Sequence, residues 1–304
     1  MVAMVLLTFI VLGLLAMFQQ VQKAFRSSMT QVDVLEAGRA NTDMIGRTME
    51  QMMASSFAST NPLIYQSTNF FAFVSPDYAG SLHQPLPGNA PERTNVIQTI
   101  FFLSKSNQDW IATGYQVRPY DDYVNSGIGA LYQFQVSTNQ GRAKALPLSQ
   151  LFLNSLPPRA TNPTNLNRIA DGVVSFRVRA YDTNGVEIVA TNTNPGHLAF
   201  VAPVGANNQP RLITINNGFG SWDSLNGQYN YYFVSNAVPA AVELEIAFLE
   251  AHLVDRYRAL SGGISPPPAA LQDSQRAYLS NHVANVHVFR HRIPVRNVDP
   301  SAYQ

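Results

Sequence analysis

The stretch MVAMVLLTFIVLGLLAMF, residues Met1–Phe18, runs directly into QQVQKAFRSSMTQVDVLEAGRANTDMIGRTMEQMM, Gln19–Met53, and the reading of this junction decides the fold. The first segment has no charged residue, and only Thr8 and Gly13 interrupt it. A run of that length is at the lower limit for a membrane-spanning helix. It would be about 27 Å long. A secretory signal needs a basic start and a small-x-small cleavage site. Here the first basic residue is Lys23, and the run ends in Met17, Phe18, Gln19 and Gln20. A buried core helix would carry a polar stripe, whereas apart from Thr8 this one is apolar on every face. The expectation is a membrane anchor over residues 1–18, with Val2, Leu6, Leu7, Ile10, Gly13, Leu14 and Met17 meeting lipid or other helices. Thr8 and Gly13 are small enough for close packing between helices.

The helical pattern continues beyond the apolar run. Val21, Phe25, Met29, Val32 and Leu35 follow at spacings of three and four, and Ile45, Met49 and Met52 resume the stripe. No proline occurs before Pro62, where Ser59, Thr60, Asn61 and Pro62 form a stop. This predicts a single helix of about 57 residues, on the order of 85 Å. Its second half, 19–60, would place Val21, Phe25, Val32, Ile45, Met49 and Met52 against a sheet. A competing reading breaks the helix in GRANTD, Gly38–Asp43.

Composition narrows the function classes. The chain has 304 residues, of which only 13% are charged, and 20 Lys+Arg balance 19 Asp+Glu. That balance gives no field to attract a phosphate backbone, so no nucleic-acid partner is expected. Without any cysteine there are no disulfides, thiolate nucleophiles or Cys-type zinc sites. The length suffices for a substantial core.

After Pro62 the periodicity falls to two. Val96–Leu103, Trp110–Val117 and Ala130–Val136 read as strands. In GVVSFRVRAYDTNG, Gly172–Gly185, the residues Val174, Phe176, Val178 and Ala180 face one way, and a turn at Asp182–Gly185 leads into Val186–Val189. Val242, Leu244, Ile246 and Phe248 alternate with Glu243 and Glu245. Short helices are predicted over Ala251–Leu260 and Leu271–Val283, with a last strand near 285–295. The polar stretches Thr161–Asn167, Thr191–Pro195 and Gly205–Pro210 read as loops. The expected architecture is α+β: a long N-terminal helix on an antiparallel β-rich domain spanning 61–304.

The residues that carry chemistry do not assemble into a known motif. His282, His287 and His291 cluster in sequence, but no cysteine joins them and Asp299 is distant. Glu243 and Glu245 resemble an acid/base pair, yet alternation places them on the solvent face of a strand. Asp121, Asp122 and Asn125 form an oxygen-rich loop without EF-hand spacing. There is no G-x-S-x-G, P-loop or G-x-G-x-x-G. No cofactor, metal or catalytic activity is expected.

The residues Met1, Val2, Ala3, Met4, Val5, Leu6 and Leu7 resemble the interior of a type IV pilin-like N-terminus. Together with ANTDMIGRTMEQM (Ala40–Met52), GVVSFRVRAYDTNG and VPAAVELEIAFLE (Val238–Glu250), they are most similar to the J-type minor pseudopilins of type II secretion systems. The family's basic leader, Gly, Phe and Glu do not appear in their places here, so either the start lies upstream of Met1 or the chain departs from the family. Lys23 and Arg26 alone would hold the bulk of the chain in the cytoplasm. A basic leader would reverse that. The resemblance implies a pilin-like fold, a single-pass inner-membrane anchor and a periplasmic domain. It also implies partners: the major pseudopilin, the minor I and K types, membrane lipid and secreted protein substrates. Minor pilins of type IV pili or DNA-uptake systems share the pattern, and an anchored extracytoplasmic enzyme or binding protein is the reading from a different class.

Overall fold

The structure is a computed structural model. It describes residues 2–55, 68–75, 82–86, 88, 92–107, 109–120, 127–139, 148–156, 165–188, 197–201, 211–214, 219–223, 228–234, 237–260 and 268–299. A single helix, α1 (Val2–Met49), opens the chain. At 48 residues it is about 72 Å long, and it runs through Gly38–Asp43 without a break. It ends earlier than the sequence predicts, at Met49 rather than near residue 57. The reason is a competing set of sheet contacts. Met52 bridges to Ser104 and Met53 to Asn297, the Met53 N–H donates to the Leu103 carbonyl at 2.9 Å, and the Ser55 N–H donates to Asn69 Oδ1 at 2.9 Å.

The body is an antiparallel sheet of nine strands. Its strands are β1 (Thr68–Val74), β4 (Gln98–Ser106), β5 (Asp109–Pro119), β6 (Gly129–Asn139), β7 (Leu166–Tyr181), β10 (Phe219–Asp223), β11 (Gln228–Val234), β12 (Ala241–Leu249) and β13 (Val286–Pro294). Their spatial order is β10-β11-β1-β4-β5-β6-β7-β12-β13. Two small ribbons accompany it, β2 (Leu82–Gln84) with β3 (Arg93–Asn95), and β8 (His197–Val201) with β9 (Arg211–Thr214). The helices α2 (Leu148–Asn154), α3 (Ala251–Leu260) and α4 (Ala269–Asn281) complete the described elements. The expected α+β class is therefore the observed one.

Alternation divides the core into layers. On one sheet face Phe70, Phe102, Tyr115, Phe176, Leu244 and Ile246 pack with Ile45 and Met49 of α1. On the other face Phe71, Phe101 and Phe134 pack with Phe152 of α2, and Val174 and Ala247 pack with Tyr257 of α3 and Leu279 of α4. Gly114 is required beneath α2, since a Cβ there would lie 2.4 Å from the Phe152 ring.

The predicted strand β7 starts at Leu166, inside a stretch read from sequence as a loop. The turn after it is as expected: Gly185 takes φ +78°, and Asp182 Oδ1 accepts from the N–H groups of Asn184 and Val186 at 2.9 and 2.8 Å. Among the described residues the return segment from Val186 pairs with β7 through one bridge, Tyr181 to Glu187.

Candidate functional site

The most unusual feature of the molecule is the contrast along α1. From Gly38 onward the helix is seated on the sheet. Gly38 lets the backbone approach β13 so closely that a Cβ would lie 2.1 Å from the Phe289 ring. Ile45 and Met49 are fully buried, and so is Met52 beyond the helix end. A polar relay pins the last turn: Thr48 Oγ1 donates to the Ile45 carbonyl at 2.8 Å and lies 3.0 Å from the Tyr115 hydroxyl, which also accepts from Gln133 Nε2 at 3.2 Å. Burial raises the Tyr115 pKa, and the Thr48 and Gln133 hydrogen bonds partly oppose that.

Before Gly38 the helix parts from the body. A groove of about 450 Å³ opens between Asp33, Val34 and Gly38 on one side and Ile169, Phe248 and Val254 on the other. Further toward the N-terminus the arm is bare. Leu7, Ile10, Leu14 and Met17 are exposed, and a Cβ on Gly13 would meet nothing within 4 Å. The side chains of Val2, Leu6 and Thr8 lie outside the described residues. Val21, Phe25 and Val32, expected against the sheet, are instead 65%, 64% and 56% exposed. The correction has a geometric cause: the sheet extends beneath only the last third of α1, so the same stripe is buried from Ile45 and open before it. Among the described residues no helix is long and apolar enough to cross a membrane. With several side chains of residues 2–8 outside the described set, the unbroken described apolar run is 9–18.

The residues with chemical potential are dispersed. His287 Nε2 lies 3.4 Å from Glu250, His291 Nδ1 lies 3.8 Å from Asp43 of α1, and His282 Nδ1 lies 2.7 Å from the Tyr278 carbonyl. Each has its own partner. Among the described residues no three His, Asp or Glu converge as a metal site. Asp121, Asp122 and Asn125 lie outside the described residues. The Tyr120 hydroxyl makes two hydrogen bonds, accepting from the Gly172 N–H at 2.6 Å and donating to Asp171 at 3.1 Å, and Arg258 lies over its ring at 3.9 Å. Gly172 sits at φ +72°, and a Cβ there would lie 2.9 Å from the Leu249 carbonyl oxygen.

Glu243 and Glu245 are neither solvent-facing nor paired for acid/base work. Their side chains are only 16% and 13% exposed, because β12 lies between two arginine-bearing strands. Glu243 is opposite Arg179 and Arg292, and Glu245 is opposite Arg177 and Arg290. Arg290 binds Glu245 at 2.5 Å. That hydrogen bond raises the Arg290 pKa. Two deeper guanidiniums, Arg93 and Arg177, have theirs lowered by burial. Sequence alternation identified the face, but it could not reveal the flanking arginines.

Compared with protein-family models, with curated proteins and with solved structures, the chain finds no match.

Proposed function

We propose that the chain is a structural, non-enzymatic filament subunit that uses the N-terminal part of α1 as anchor and assembly element, in the manner of a J-type minor pseudopilin. The observation that carries this reading is the arm. Met4, Leu7, Phe9, Ile10, Leu12, Leu14, Met17 and Phe18 are each more than half exposed on a helix attached to an otherwise well-buried body. A surface this apolar marks a site of association with lipid or protein. Each such side chain gains about 1.5–3 kcal/mol on burial.

In this reading residues 1–18 cross the inner membrane while the subunit is stored, and the domain faces the periplasm. On assembly the lipid contacts are exchanged for contacts with neighbouring helices of the major and the I- and K-type pseudopilins, and the filament tip meets secreted substrates. The stripe Val21, Phe25, Met29, Val32 and Leu35 belongs to the same exchange, since it is left uncovered by the chain's own sheet.

The test uses the full-length protein in its native membrane. Leu7→Asp and Ile10→Lys are expected to abolish membrane retention and secretion while leaving the domain folded. Mass spectrometry of the mature N-terminal peptide separates two outcomes: a methylated Phe upstream of Met1 supports this reading, and a mature chain beginning at Met1 favours a simple anchor. Undiminished secretion with either variant would refute the proposal.

A further inference from the structure

We infer that the outer edge of β13, unpaired among the described residues, receives an extended acidic segment of a partner protein, with carboxylates at alternate positions opposite Arg290 and Arg292. The inference does not depend on how α1 is used. It starts from the charge pattern across the sheet face opposite α1. Going outward, that face reads Arg177 and Arg179 on β7, Glu245 and Glu243 on β12, then Arg290 and Arg292 on β13. Each glutamate has arginines on both sides. Among the described residues, the outermost arginines have carboxylates on one side only.

The carboxylates present do not match the guanidiniums. Arg179 pairs with Glu187 and Glu243 at 4.0 and 3.7 Å, and Arg290 pairs with Glu243 and Glu245 at 3.6 and 2.5 Å. Arg292 makes no ion pair among the described residues. It lies over the Tyr181 ring at 4.1 Å and donates to the Gly185 carbonyl at 3.3 Å. Arg93 and Arg177 also make no ion pair among the described residues, and Arg93 Nη2 and Arg177 Nε are buried without a hydrogen-bond partner. Among the described residues, five guanidiniums thus lie with three carboxylates, Glu187, Glu243 and Glu245.

The edge itself is suited to pairing. β13 is matched to β12 along its whole length without a register shift, and its only proline is the last residue, Pro294. No strand pairs with its outer side among the described residues. An open, regular edge is a template for another strand. A strand added there would bring its side chains within about 4.5–5.5 Å, Cβ to Cβ, of those on β13. Carboxylates at alternate positions would then extend the Arg–Glu–Arg order by one further row. A second copy of β13 is a poor occupant, because it would set one row of arginines against another. An acidic partner segment satisfies both the backbone edge and Arg292, the edge arginine without a carboxylate among the described residues.

The probe is a fluorescein-labelled peptide, Thr-Glu-Val-Glu-Val-Glu-Thr, titrated by anisotropy into the full-length chain in a non-ionic detergent. The control, Thr-Val-Val-Glu-Glu-Glu-Thr, has the same composition with the glutamates contiguous. The alternating peptide should bind about tenfold more tightly than the control, and R290E/R292E should weaken it by about tenfold or more. Peptide binding should also slow amide hydrogen exchange along β13. If R290E/R292E does not fold, R290Q/R292Q is measured in its place, with the same loss expected. Equal affinity for the two peptides, no binding of the alternating peptide, unchanged exchange in β13 or undiminished affinity in the folded variant would each overturn the inference.

Discussion

Two parts of α1 carry the same kind of apolar stripe and meet opposite surroundings. Val21 and Phe25 are 65% and 64% exposed, while Ile45 and Met49 are at 0%. Nothing in the local pattern separates them, since both follow the three-and-four spacing of an amphipathic helix. The difference comes from the other side of the contact. Strands β7, β12 and β13 lie beneath the C-terminal third of α1, and Gly38 allows the backbone to approach Phe289 there. Periodicity specifies a face, and the tertiary fold decides what covers it.

Substitutions can break this comparison. The largest effect is expected from the pair Ile45→Asp and Val21→Asp. The first buries a carboxylate in the main core and should cost more than about 4 kcal/mol or prevent folding. The second should leave the denaturant midpoint of the domain unchanged. Equal destabilisation would mean that the arm packs on the body after all.

Next in size is Gly38→Leu, which forces a side chain into the Phe289 ring. Overpacking of this kind costs about 1–3 kcal/mol, and in the background of Phe289→Ala most of that loss should disappear in a double-mutant cycle. Removal of the Thr48 hydroxyl in Thr48→Val should cost about 1 kcal/mol, because the Tyr115 hydroxyl keeps only Gln133.

Alkaline unfolding sharpens the same point. The folded pKa of Tyr115 is raised, chiefly by burial. The unfolded tyrosine, with a pKa of about 10, therefore loses its proton first, and the unfolded state binds fewer protons than the native one. This contribution is fully present below pH 10 and is lost as pH rises toward the folded value. Tyr115→Phe should flatten the alkaline limb of a stability-versus-pH curve. The smallest effect is expected from removing residues 1–30, after which the thermal midpoint should move by less than the equivalent of about 0.5 kcal/mol. That null result would confirm that the arm's purpose lies outside the domain's own stability.

Strongly alternating strands were legible from the sequence. Phe176, Val178 and Ala180, and likewise Val242, Leu244 and Ile246, face the α1 side as their spacing requires, whereas Val174, expected with them, turns to the opposite face because the β7–β12 register shifts beside it. β1 was not legible. Its residues Asn69–Phe73 are buried on both sides of the sheet, so TNFFAFV shows no period of two. The end of α1 was misjudged for a different reason: Glu50–Met53 have no helix breaker, and only the strand contacts of Met52 and Met53 end the helix. The candidate site was half visible. The apolar arm could be read directly, whereas the arginines flanking Glu243 and Glu245 come from β7 and β13, which are more than a hundred residues apart in the chain, and meet only through sheet order.

The support for α1 is completed late in synthesis. The helix ends at Met49, whereas the strand bearing Phe289 and Ile293 runs to Pro294. About 240 residues must leave the ribosome between the two, on the order of 10–50 s at typical elongation rates. During that interval the part of the cover over Ile45 and Met49 that β13 supplies is missing. The nascent helix therefore exposes apolar surface at its C-terminal end as well as along its arm until its sheet is complete.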